Sequence, residues 1–226
     1  MALVALASVG LLLRRTSEAR QARWYWVWVL AWLTYSGLLG ASGFLAQFEG
    51  MPPRFLLLLL PTLGLPVALA VSKVGRALTG TAPIAFLVLL QAFRLPLELV
   101  MHQAAVEGVM PAQMTFTGSN FDIVSGATAL VVGVLAAFER APRWLLLAWN
   151  ALGSLLLATV VGIAIASLPI WAAFGSEPER LNTWTAYFPF VWLPAGPVAV
   201  ALFGHLILWR RLFASGMRGR AFSTVS

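Results

Sequence analysis

The sequence contains no cysteine, one lysine (Lys73), one aspartate (Asp122) and two histidines among its 226 residues. The lack of cysteine excludes disulfides, cysteine-ligated zinc, iron–sulfur clusters and thiol catalysis. Charge of either sign is scarce: 10% of residues are Asp, Glu, Lys or Arg, against about 25% in ordinary soluble domains. No polar stretch is long enough to make a second, soluble domain. What fills the chain instead is apolar, with 60% hydrophobic residues and a mean hydropathy of +0.86. The apolar runs are continuous rather than alternating, which specifies membrane helices and not barrel strands. The expected fold is all-α, a polytopic transmembrane helical bundle forming a single integral membrane domain over residues 1–226. Fourteen arginines against one lysine fit a GC-rich bacterial genome, and hence an inner (plasma) membrane location.

Seven apolar runs are candidate spans: residues 2–13, 24–46, 55–72, 82–106, 122–138, 144–172 and 188–209. The first is short, because a span needs about 20 residues. It lacks a preceding basic segment, and Arg14-Arg15 follow it in place of a cleavage site, so it does not read as a signal peptide. Six or seven spans are therefore expected, with 2–13 either a truncated span or an interfacial helix. Lysine plus arginine in the connections number four (14–23), one (47–54), two (73–81), none (107–121), two (139–143), one (173–187) and four (210–226). Alternate connections thus hold twelve and two, and the positive-inside rule makes the richer side, with the C-terminus, cytoplasmic. The net charge of +7 reports topology, and nucleic acid is not an expected partner. Tryptophans 24, 26, 28, 144 and 209 fall at the inner ends of spans and 171, 184 and 192 near the outer ends, as interfacial belts require.

Ionisable residues inside such runs carry the functional signal. Arg94, Glu98 and His102 recur every fourth residue and share one helix face, with Gln91 on nearly the same side. A charge at mid-bilayer costs roughly 2.5–3.5 kcal/mol on insertion scales, so such a stripe implies a partner or a site. Pro96 cannot donate to the Ala92 carbonyl, which predicts a bend between Arg94 and Glu98. The connection that follows has no basic residue and ends in Ser119, Asn120 and Asp122. Ser119 or Asn120 is expected to cap the next helix, with Asp122 in its first turn. These groups converge on an outward-facing polar pocket floored by Arg94. The structural alternative is that Arg94 and Glu98 neutralise each other and His102 bonds a loop carbonyl.

Other chemistries have weaker support. His205 is expected about 17 residues into the last run, near the cytoplasmic Trp209-Arg210-Arg211, roughly 15–20 Å in height from His102 at 1.5 Å per residue. That separation argues against one haem held by both histidines. No His-Glu-x-x-His, Gly-x-Ser-x-Gly or phosphate-binding glycine loop occurs, and Lys73 lies in a cytoplasmic connection, not in the last span where retinal chemistry would need it. Small residues recur every fourth position at Ser125, Ala129, Gly133, Ala137 and at Ser154, Ala158, Gly162, Ala166, patterns that let helices approach closely. The expected function is small-solute or proton-linked transport, or ligand sensing, with Arg94, Glu98, His102, Asp122, Asn120 and Gln91 as the ligand- or proton-binding residues and the lipid bilayer as surroundings. The alternatives are a non-catalytic accessory or assembly subunit, partnered through the small-residue faces, and a haem- or metal-binding redox protein. Enzymatic activity and cofactor are left open by the residues themselves.

Overall fold

The computed structural model describes residues 19–223 and positions 7 and 10. The expected run 2–13 thus falls largely outside the described residues. The described chain is helical with no strand. Its helices are α1 (Ala19–Ala41), α2 (Leu56–Val71), α3 (Lys73–Thr81), α4 (Ile84–Val106), α5 (Ile123–Ala137), α6 (Arg143–Ala166) and α7 (Ala199–Ser223). Every expected run from 24 onward overlaps one of them, with shifted ends: α7 begins eleven residues after the start of the run 188–209 and continues past its end. Three stretches are long and apolar enough to cross a membrane: α4, α6 and Pro194–Ala214, which includes most of α7. A fourth is added if α2 and α3, bent by 67° at their junction, count as one broken span. The remaining two runs differ for physical reasons. At 15 residues α5 rises only about 22 Å, less than the roughly 30 Å hydrocarbon core, and α1 carries Arg20, Gln21 and Arg23 with four Trp and two Tyr, which lower its apolarity.

The breaks follow from the sequence. Ser72 ends α2 and starts α3, its Oγ accepting from the Val74 and Gly75 amides at 3.1 and 3.3 Å, a side-chain cap of the usual kind. The residues 73–81, expected as a connection, thereby become a helix. In α4 the irregularity lies one turn earlier than expected, as a 3₁₀ turn over Leu90–Phe93, and regular α-helix resumes at Arg94. Pro96 denies the Ala92 carbonyl its fourth-neighbour donor, and the preceding turn tightens in response. A π-helical turn, Pro194–Val198, leads into α7. Two indoles tie that region to α1: Trp32 donates to the Ala195 carbonyl at 2.9 Å and Trp192 to the Leu33 carbonyl at 3.0 Å.

One core unites α4, α5 and α7 around Leu87, Val88, Ala129, Ile207 and Leu208. Of the first small-residue stripe, Ser125, Ala129 and Gly133 are buried, and beside them Gly126 lies so close to α4 that a Cβ there would strike the Leu95 backbone nitrogen. The second stripe is different: Ala158 and Gly162 are exposed, with open space around Gly162. At one end of the bundle the connections 107–122 and 167–193 lie together, Gln113 donating to the Ser167 hydroxyl (3.1 Å) and the Arg180 carbonyl (2.7 Å). At the other end Arg210 donates to the Ala70 carbonyl and Arg211 to that of Thr79, in the last turns of α2 and α3, and Arg143 donates to the Leu212 carbonyl within α7.

Candidate functional site

Arg94 stands at the centre, 1% exposed and among the largest fully buried side chains described. Its first partner comes from the start of α5. Nε and Nη2 fork onto the two oxygens of Asp122, a bidentate pair buried on both sides. Its second set comes from α6 and α7: Nη1 donates to the Gly153 carbonyl at 3.4 Å and lies 3.0 Å from His205 Nε2. Because a guanidinium can only donate, His205 Nε2 accepts, and the ring proton sits on Nδ1, which donates to Asn150 Oδ1 at 2.7 Å. Asn150 Nδ2 in turn donates to the His205 carbonyl at 3.2 Å. Gly153 makes room for this ring, since a Cβ there would approach His205 Cε1 to 2.6 Å.

Glu98 belongs to the same assembly but not to Arg94. Both its oxygens accept from Asn120 Nδ2, at 2.9 and 3.0 Å. Asn120 also donates to the Met114 carbonyl at 3.0 Å, and its Oδ1 accepts the Asp122 amide at 2.9 Å. That last bond is how the helix start is arranged: Asp122 occupies the N-cap position of α5, with no side-chain cap bond of its own, because its carboxylate is turned to Arg94. The result is a continuous chain of bonds, Glu98–Asn120–Asp122–Arg94–His205–Asn150, across α4, α5, α6 and α7.

A cavity of about 70 Å³ adjoins this chain. Its walls are α2, α4, α6 and the π turn, and they are apolar except at Arg94, Glu98, Asp122, Thr62, Asn182 and Thr185. Met101, Met114 and Trp184, packed together, close the end beneath the two long connections. Neither a protein-family profile, nor any curated protein, nor any solved structure matches this chain. What the site can do rests on its own geometry.

Of the six residues singled out in sequence, Arg94, Glu98 and Asp122 line this cavity, and Asn120 is bonded to the last two from behind it. The alternative of an Arg94–Glu98 salt bridge is not what forms; Asp122 takes the guanidinium. Gln91 is fully buried but turned toward α7, donating to the Ala201 carbonyl at 3.2 Å, with Oε1 unpartnered. His102, two turns beyond Arg94, is part-exposed and faces the connection, its Nδ1 3.4 Å from Thr117 Oγ1 and its ring 4.7 Å from Phe116. His205 corrects the depth reading. The apolar stretch begins at Pro194 and not at 188, so His205 lies eleven residues along it, near its middle, and reaches Arg94. Asn150, Gly153 and Thr62 were not singled out. An asparagine amid an apolar run was the available signal for Asn150, and none marked the other two. Both ring nitrogens of His205 are engaged, and among the described residues no group of three or more His, Asp or Glu side chains converges as metal ligands would.

Proposed function

We propose that the chain is a multi-pass inner-membrane protein of six or seven spans with a cytoplasmic C-terminus, and that it moves or senses a small solute or ion, transport being linked to proton exchange, through the cavity at Glu98. The observation that carries this reading is Glu98 itself. It is a buried carboxyl beside a cavity, served by one amide, while the neighbouring guanidinium is fully committed to Asp122, Gly153 and His205. Ionisable groups held at such cost within apolar spans default to functional sites. The Arg94–Asp122 pair is then a fixed scaffold, Glu98 the exchanging group and Asn120 the link between them. His102 is assigned to the rim with Thr117 and Phe116. The connections over the cavity are those with fewest basic residues, which supports an outward orientation. Purified protein in proteoliposomes tests the reading: Glu98→Gln is expected to abolish Glu98-dependent uptake or ligand binding, and unchanged uptake and binding would overturn it.

A second reading, an accessory subunit, is favoured by the open Ala158/Gly162 face of α6, which leaves space for a close-packed helix of another chain. A monodisperse single-chain species in detergent would count against it.

A further inference from the structure

We infer that the cavity beside Glu98 receives the end of a lipid acyl chain, which enters from the side of the bundle. The inference deepens the pocket reading above and rests on it for its functional meaning, since a solute bound for Glu98 has to displace that chain. The lining, the way in and the size carry it.

The lining is hydrocarbon. Leu97 and Met101 of α4, Leu157 and Val161 of α6 and Pro197 of the π turn set its character, and almost none of the surface it offers is polar. The polar groups at its border are turned to one another instead: Arg94 to Asp122, Glu98 to Asn120 and Thr185 to Asn182. A buried water needs about two to four polar partners, which this surface does not supply. Apolar walls regain their lost dispersion contacts only from an apolar occupant.

The way in is lateral. Met101, Met114 and Trp184 close the end beneath the connections, and the buried Arg94–Asp122 pair closes the opposite end. The cavity is nevertheless not enclosed, so it opens through the side. On that side α2 and α6 each pack against α7 but make little contact with one another. Both contribute part-exposed wall residues, Leu59 from α2 and Val161 and Ile165 from α6. Helix α6 is long and apolar enough to cross a membrane, and Leu152 and Leu155 are exposed on it. The medium at such an opening is the bilayer interior.

Size then selects the occupant. About 70 Å³ is less than half of the roughly 150 Å³ that holds one benzene, and far below the roughly 300–1,000 Å³ of pockets that enclose whole organic ligands. What fits is a narrow, methyl-ended segment whose remainder stays outside. The acyl chain of a bilayer phospholipid has that form.

Photo-crosslinking of the full chain in nanodiscs tests this. The probe is phosphatidylcholine with a diazirine near the methyl end of one acyl chain, diluted in the unlabelled lipid, and adducts are mapped by mass spectrometry. Leu157 and Ala201 line the cavity and are 5% and 2% exposed, whereas Leu155 is 64% exposed on α6. The expected result is adducts on Leu157 or Ala201 as well as on Leu155. Adducts on Leu155 with none on the cavity wall overturn the inference and mean an empty, dry cavity. Val161→Trp and Ala164→Leu add bulk at the wall, and each should abolish the interior adducts while those on Leu155 persist. Interior adducts unchanged in both variants also overturn it. The wild-type map decides the matter even if neither variant folds. Interior adducts, with uptake and binding indifferent to Glu98→Gln, keep the lipid site and remove the transport reading. Glu98-dependent uptake without interior adducts does the reverse.

Discussion

Arg94 is the residue on which the interior depends, because nothing else described is so large, so charged and so completely enclosed. Its pairing with Asp122 sets a clear expectation. Asp122→Asn leaves a guanidinium buried without its counter-charge, and removing one partner of a buried pair costs about 3–5 kcal/mol. Unfolding measurements in detergent should show a large loss for Asp122→Asn and for Arg94→Leu taken singly. The double change Arg94→Leu with Asp122→Leu should be less destabilising than the sum, since replacing both charges by apolar groups is often close to neutral. Strict additivity would mean the pair does not act as a unit. The convergence of Arg94, Glu98, Asn120 and Asp122 was legible in sequence because polar residues stand out against an apolar run. Their pairing was not. Sequence spacing places Glu98 one turn from Arg94, but side-chain partners across helices depend on how α5 is rotated, and no periodicity encodes that. His205 was misplaced for a different reason: its depth was counted along a helix assumed to begin at residue 188.

Among the helices, the α4–α5 contact is the one with least slack. Gly126 lies against the Leu95 backbone, where no side chain can move aside. Gly126→Ala should therefore behave as overpacking and cost about 1–3 kcal/mol, with displacement of Asp122 from Arg94 as its local effect. Gly162→Ala, on the open face of α6, should change stability by no more than about 0.5 kcal/mol. A thermal-shift comparison of the two variants checks both, and equal losses would contradict the packing described. Apolar length located six of the seven helices and missed α3, which reads as a connection. The breaks were harder to read, because Pro96 acts on the turn before it, and Ser72 and the Pro194/Pro197 pair reshape the chain through backbone donors that are missing or redirected.

For the molecule as a whole, topology is directly testable because the chain has no native cysteine. Single cysteines at Glu179 and Glu139, both exposed and in connections assigned to opposite sides, become unique reporters. A membrane-impermeant maleimide is expected to label Glu179→Cys in intact cells and Glu139→Cys only after permeabilisation. Labelling of both in intact cells would reject the proposed span count.

The bond between Arg94 and Asp122 also has a history in time. The two residues are 28 positions apart in the chain, and His205 follows Arg94 by 111. While the polypeptide is being made, Arg94 therefore exists for a period with none of its final partners. A lone arginine at the centre of a helix handicaps membrane insertion by roughly 2.5–3.5 kcal/mol, whereas an α4–α5 hairpin delivers the charge already neutralised. The pair of helices should then leave the translocon together, and the cavity would be completed only when the last helix, bearing His205, docks against a hairpin already in place.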